Sequence, residues 1–153
     1  MLHFAYGSNM SRPLMRRRCP HAHPLGLAQL RGWQLIVTGD GYASVVPSKG
    51  ASVHGVLWRL TPRDNAALNA YESVATGLYQ RRILRVTADG RSLSALVYVA
   101  RNGVAGRAKP GYQEILLDAA QDWQLPAHYV QDLARCTVAR SHAARAPDIE
   151  EIT

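Results

Sequence analysis

The chain has 153 residues, a mass of 16.8 kDa and a formal net charge of +7. With 47% hydrophobic and 19% charged residues it suits one ordinary domain with its own core and argues against disorder. Two cysteines, Cys19 and Cys136, exclude a disulfide scaffold and a four-cysteine zinc site. The longest apolar run, residues 95–100, is far short of the roughly 20 residues that span a bilayer. The N-terminus turns polar by Tyr6-Gly7-Ser8-Asn9, which argues against a signal peptide, so a soluble, cytoplasmic protein is expected.

Residues 2–6 form a short apolar run stopped by Gly7 and read as a buried strand. Ser8 to Ser11 offers N-cap candidates, Pro13 fits the first turn of a helix that continues to Arg18, and Cys19-Pro20 stops it. Strands are expected over residues 25–29 and 33–38, separated by Arg31-Gly32, and over 42–47 after the Gly39-Asp40-Gly41 turn. Lys49-Gly50 signals another turn, and residues 52–60 alternate as a strand with Val53, Gly55, Leu57 and Arg59 on one face. Thr61-Pro62 opens a helix as N-cap and first residue, with Asp64 in its first turn and Ala67, Leu68 and Tyr71 at helical spacing, ending near Glu72-Ser73. Residues 79–87 and 92–100 are two strands joined by the hairpin turn Ala88-Asp89-Gly90-Arg91. A glycine-containing loop follows, then a helix from Pro110, a break at Leu125-Pro126 and a last helix over residues 127–136. The expected organisation is a domain over residues 1–138 and a C-terminal tail over 139–153. The fold class is mixed α/β, a small, largely antiparallel sheet curled into a barrel-like form around a ligand cavity and flanked by helices.

Three places bear on chemistry. Tyr6-Gly7-Ser8-Asn9 takes the chain from a strand into a turn and a helix, where successive backbone N–H groups can hold an anion and Gly7 permits close approach; a tight turn with no ligand would carry the same letters. Glu72 ends a helix beside the apolar loop 74–78, where partial desolvation would raise its pKa toward that of a general base; the alternative is a solvated helix-end carboxylate. Tyr79 and Tyr112 can each point a hydroxyl into a cavity, or serve as aromatic core. His21-x-His23 is metal-like but flanked by Pro20 and Pro24 with no third ligand in view, so no metal is expected. Basic residues are dispersed apart from Arg16-Arg17-Arg18 and Arg81-Arg82, and no nucleic-acid-binding signature is present.

Taken in order, these places resemble one family. Phe4-Ala5-Tyr6-Gly7-Ser8-Asn9-Met10 is similar to the N-terminal signature of the γ-glutamylcyclotransferases, the AIG2-like superfamily. Tyr71-Glu72 through Tyr79-Gln80-Arg81 resembles their catalytic-glutamate segment, with Ser73 where the family often has Gly. Pro110-Gly111-Tyr112 and Leu125-Pro126-Ala127-His128-Tyr129 are similar to its C-terminal helices, so the resemblance runs from about Leu2 to Leu133. Asn9 differs from the Tyr-Gly-Ser-Leu of the glutathione branch and from the Tyr-Gly-Thr-Leu-like form of the γ-glutamylamine branch, and so resembles the γ-glutamyl-amino-acid branch.

The resemblance implies a γ-glutamyl cyclotransferase-like fold and a cofactor-free, metal-free cyclisation. In it the α-amine of a γ-glutamyl group attacks its own γ-carbonyl and releases 5-oxoproline and an amine or amino acid. Glu72 would be the general acid/base, with Tyr6, Gly7, Ser8, Asn9, Tyr79 and Tyr112 binding the substrate. The implied partner is a small-molecule γ-glutamyl substrate, not a membrane or a nucleic acid; the leaving amine and the oligomeric state are left open. The competing readings are a non-catalytic small-molecule binding module on the same fold and a basic nucleic-acid-binding protein.

Overall fold

The computed structural model describes the backbone of residues 1–143 and the side chains of residues 1–135. In chain order the elements are β1 (Leu2–Ala5), a 3₁₀ turn (Ser8–Met10), α1 (Arg12–Arg18), β2 (His23–Val37), β3 (Ala43–Arg59), α2 (Pro62–Tyr71), β4 (Tyr79–Ala88), β5 (Arg91–Ala100), α3 (Tyr112–Asp122) and α4 (Ala127–Ala143). The strands close into a barrel in the order β1-β3-β2-β4-β5. Every pairing is antiparallel except the one that closes the ring, β1 alongside β5 with His3 opposite Leu96. The fold is therefore the mixed α/β class with a small curled sheet that the sequence predicts.

Local signals set the helix starts. Ser11 caps α1, its Oγ accepting from the Leu14 N–H, and Thr61 caps α2, its Oγ1 accepting from Asp64 N–H at 3.1 Å; each helix carries proline in its first turn. Asp89 (φ 49°) and Gly90 (φ 73°) make the β4–β5 hairpin turn, since two successive left-handed residues match the twist of the flanking strands.

Two expected interruptions, the separation at Arg31-Gly32 and the turn at Lys49-Gly50, do not end their strands. Residues 25–29 and 33–37 belong to one strand, β2, with Thr38 in an isolated bridge to Ala105, and residues 42–47 and 52–60 lie largely within another, β3. At Arg31-Gly32 and Lys49-Gly50 the register shifts but the ladder resumes, with Arg31 opposite Ser52 and Trp33 opposite Pro47. Gly32 (φ 82°) and Gly50 (φ 83°) absorb the mismatch as a bulge rather than a reversal, bending two long strands around the barrel. The third helix starts at Tyr112 rather than Pro110, because Gly111 precedes it in the left-handed region. Helix α4 continues past Cys136 to Ala143, no Pro or Gly interrupting it. The Cys136 side chain and residues 144–153 of the expected tail lie outside the described residues.

The core fills the barrel and the space beneath α2 and α3, with Phe4, Met10, Leu57, Leu68, Leu96 and Leu116 fully buried. Two devices fix the segment that leaves β1. Trp123 at the end of α3 donates from Nε1 to the Met10 carbonyl at 2.7 Å and meets Trp58 edge-on. Gly55 of β3 lies so close to β1 that an added Cβ would fall 2.2 Å from the Ala5 oxygen and 2.9 Å from the Phe4 ring. Gly55→Ala is expected to destabilise by roughly 2–3 kcal/mol, as overpacking does, and to displace Ala5, which leads directly into Tyr6-Gly7. Urea unfolding compared with the parent checks this; an unchanged midpoint would contradict the close packing.

Candidate active site

The residues singled out in the sequence come together at one end of the barrel. A cleft of about 250 Å³ is lined by Tyr6, Gly7, Ser8, Asn9, Glu72, Tyr79 and Tyr112, together with His3, Tyr42 and Tyr98. β1 delivers Tyr6 and the following main chain to its floor, the end of α2 brings Glu72, β4 begins with Tyr79, and α3 begins with Tyr112. The volume suits a small metabolite rather than a polymer.

Glu72 sits in the wall of this cleft, half-buried. Burial raises its carboxyl to about pKa 7, against the opposing pull of the Asn9 hydrogen bond and the Arg18 charge. Its place at the C-terminal end of α2, where helix carbonyls point outward, acts in the same direction as burial. Asn9 donates from Nδ2 to Glu72 Oε1 at 3.1 Å and makes a long contact from the same nitrogen to His3 Nε2, 3.5 Å.

The tyrosines are walls with committed hydroxyls. Tyr6 donates to the Tyr98 carbonyl at 2.5 Å and Tyr79 to the Ala43 carbonyl at 2.6 Å. Burial drives both phenols up, so both stay neutral donors, and the nearby Glu72 charge adds to the effect. Tyr112 instead accepts, from the Ala43 N–H at 3.2 Å. Its hydroxyl, raised to about pKa 12 by burial, keeps its own proton for another partner. Gly7 faces this hydroxyl: a Cβ there would lie 3.0 Å from the Tyr112 oxygen.

Sequence reasoning missed His3, Tyr98 and Arg18. His3 is buried and pushed down to about pKa 4 by desolvation, hence neutral. Arg18, the last residue of α1, lies behind the cleft wall and donates to Ser8 Oγ at 3.0 Å, to Asn9 Oδ1 at 2.7 Å and to the Tyr71 hydroxyl, with its guanidinium stacked on the Tyr71 ring at 3.7 Å. The run Arg16-Arg17-Arg18 was visible, but which of the three turns inward depends on the packing of α1. Other chemistry-bearing residues stay apart. His21 and His23 are exposed, Cys19 is buried with its thiol pushed up to about 12 by burial, and among the described residues no three His, Cys, Asp or Glu side chains converge on a metal position. Among the described residues no helix is long and apolar enough to cross a membrane.

The family model for "Gamma-glutamyl cyclotransferase, AIG2-like" matches residues 3–125, most of the chain and the whole of this cleft. The chain belongs to the AIG2-like γ-glutamyl cyclotransferase family. Proteins named gamma-glutamylcyclotransferase from mouse and human are each 27% identical to it over 143 residues, covering 86% of this chain and 76% of theirs. A solved structure named gamma-glutamyl cyclotransferase superposes with a TM-score of 0.82 at 26% identity, covering 87% of this chain and 85% of that one.

In this member of the cyclotransferase family Ser73 closes the helix that carries Glu72, and its backbone conformation sets what the position requires. Ser73 N–H bonds to Ala70 O and Val74 N–H to Asn69 O, the pair of bonds that ends a helix through a left-handed residue, and Ser73 occupies that residue's place at φ 54°. Glycine fits there without strain; serine fits at modest cost, and the helix end that carries Glu72 is kept. Ser73→Gly is therefore expected to retain or slightly raise thermal stability, while Ser73→Val should lose about 1–2 kcal/mol. Calorimetry on both checks it, and equal melting temperatures would contradict a left-handed backbone at this position.

Proposed function

We propose that this chain is a cofactor-free γ-glutamyl cyclotransferase acting on γ-glutamyl-amino acids in the cytoplasm, with Glu72 as its general acid/base. The observation that carries the reading is a half-buried carboxyl poised near neutrality in the same cleft as the Gly7-Ser8-Asn9 main chain. The substrate's α-ammonium cannot attack until it loses a proton. Glu72 takes that proton, and the freed amine forms a C–N bond with the γ-carbonyl carbon of its own chain. The oxyanion produced is met by main-chain donors of residues 7–9, an interaction worth on the order of 3–4 kcal/mol per donor in related chemistry. Glu72 then passes its proton to the amide nitrogen, and the original C–N bond breaks as the oxyanion returns to a carbonyl. The ring nitrogen, which kept two hydrogens on attack, gives one up through Glu72 to the departing amine, so that 5-oxoproline and an amino acid with a protonated amino group leave. Proton and charge balance without a second substrate, and holding one folded conformer contributes several kcal/mol on its own. The Tyr112 hydroxyl and the residue 7–9 main chain hold the substrate, with Tyr6 and Tyr79 shaping the pocket.

Two measurements test this. Incubating the protein with γ-glutamyl-amino acids, γ-glutamylamines and glutathione should release 5-oxoproline from the first group; no release from any would leave a binding module on the same fold. For the group that is turned over, kcat/KM should fall on the acid side with an apparent pKa about 7, because Glu72 must be ionised to take a proton. An acid limb near 4.5, the value of an ordinary glutamate, would contradict the desolvated base.

A further inference from the structure

Resting on the assignment of Glu72 as the base, we propose that Arg18 is a positioning residue for the reaction: it locks the Asn9 carboxamide in the one orientation that presents an N–H to Glu72. Arg18 does not line the cleft. A guanidinium can only donate, so the Asn9 atom 2.7 Å from it must be the carbonyl oxygen, and Nδ2 is thereby turned the other way. There it meets Glu72 Oε1 and, at longer range, His3 Nε2. His3 is consistent with this from its far side: Nδ1 lies 3.1 Å from the Leu96 carbonyl, which can only accept, so Nδ1 carries the proton and Nε2 is left as an acceptor. Every polar atom of the Asn9 side chain thus has a partner whose hydrogen-bonding sense is fixed, and the direction of the whole network starts at Arg18. The same guanidinium holds Ser8 Oγ and clamps Tyr71, the residue before Glu72, by stacking, so one side chain ties the turn after β1 to the end of α2.

Loss of Arg18 acts on Glu72 in a defined direction. Arg18 and the Asn9 hydrogen bond both favour its charged form, while burial opposes it. The other titratable groups lining the cleft are Tyr6, Tyr79, Tyr98 and Tyr112, neutral phenols raised by burial, His3, which is neutral, and Tyr42 and Tyr71. Among the described residues no other cation acts on the carboxyl in place of Arg18, so removing it leaves Glu72 harder to ionise.

The test is the pH dependence of kcat/KM for γ-glutamyl-alanine in wild type, Arg18→Met, Arg18→Lys, Asn9→Ala and Arg18→Met/Asn9→Ala, with Glu72→Gln alongside. Arg18→Met should lower kcat/KM by about 10–100-fold and move the acid limb upward by about 0.5–1 pH unit. Arg18→Lys should keep the limb near its wild-type position, because the charge remains, but recover only part of the rate, because an ammonium cannot bond Asn9, Ser8 and Tyr71 in one plane. Compared above the acid limb, where Glu72 is ionised in every variant and the direct effect of the Arg18 charge drops out, the double variant should be no slower than the slower single one, since the orienting effect of Arg18 passes through Asn9. An unmoved limb with the rate merely scaled down, a rise in KM alone, or losses that multiply in the double variant would each overturn the proposal. Arg18→Lys carries the same test through the Asn9 coupling if Arg18→Met does not fold. If Glu72→Gln keeps full turnover, the base assignment itself falls; if it is dead while the Arg18 profile is unshifted, only the positioning role falls.

Discussion

Glu72→Gln should fold, bind and fail to turn over. Removing a general base of this kind lowers kcat by about 10²–10⁴-fold, and the glutamine keeps the shape and the acceptor oxygen that Asn9 bonds, so little else changes. Stability gives an independent readout of the same group. The carboxyl lies at about pKa 7 in the fold against 4.5 outside it, so between those values the folded chain binds more protons than the unfolded one. Wild-type stability contributed by this group therefore falls as pH rises from 4.5 to 7 and stays low above that, a difference on the order of 3 kcal/mol. The glutamine has no charge to desolvate and escapes the loss. At pH 8 the inactive variant should be the more stable protein, and near pH 4 the two should converge. Denaturant titrations at the two pH values, paired with a 5-oxoproline assay, check both halves. Full activity removes Glu72 from the mechanism; equal stability at pH 8 removes its desolvation.

Elements governed by near neighbours were legible: Thr61-Pro62 and Ser11 with Pro13 set their helix starts through bonds three residues long, and Asp89-Gly90 sets its hairpin through its own backbone angles. Gly32 and Gly50 misled because the same left-handed glycine serves a reversal or a bulge, and only the facing strand decides between them. The site divides the same way. The Tyr6–Asn9 segment and Glu72 were readable as contiguous letters, but the desolvation that gives Glu72 its chemistry is imposed by residues far away in sequence. His3, Tyr98 and Arg18 carried no local signal at all. Arg18 stands 54 positions from Glu72, and nothing in Arg16-Arg17-Arg18 distinguishes the one that α1 turns toward Ser8 and Asn9.

Gly7→Ala should cost far more activity than Ser8→Ala, although serine is the residue with the functional group. The Ser8 hydroxyl is occupied on the side away from the cleft, accepting from Arg18, so its removal loses one partly exposed hydrogen bond and leaves the main chain in place. A methyl at position 7 arrives 3.0 Å from the Tyr112 oxygen and 3.5 Å from Ala43 Cβ. Tyr112 cannot simply yield, because its ring is buried and its hydroxyl holds the Ala43 N–H. Either the tyrosine or the strand-to-turn backbone moves, and a displacement of about 1 Å at a reacting centre costs about 10²-fold. The cause can be isolated. Tyr112→Phe removes the oxygen that the methyl strikes, so Gly7→Ala/Tyr112→Phe should recover part of the loss when compared with Tyr112→Phe alone, as two changes sharing one contact do not add. Equal and small effects of Gly7→Ala and Ser8→Ala on kcat/KM would mean that the main chain of residues 7–9 does not hold the substrate. A Gly7→Ala loss that Tyr112→Phe leaves untouched would place the constraint in the backbone itself rather than at this contact.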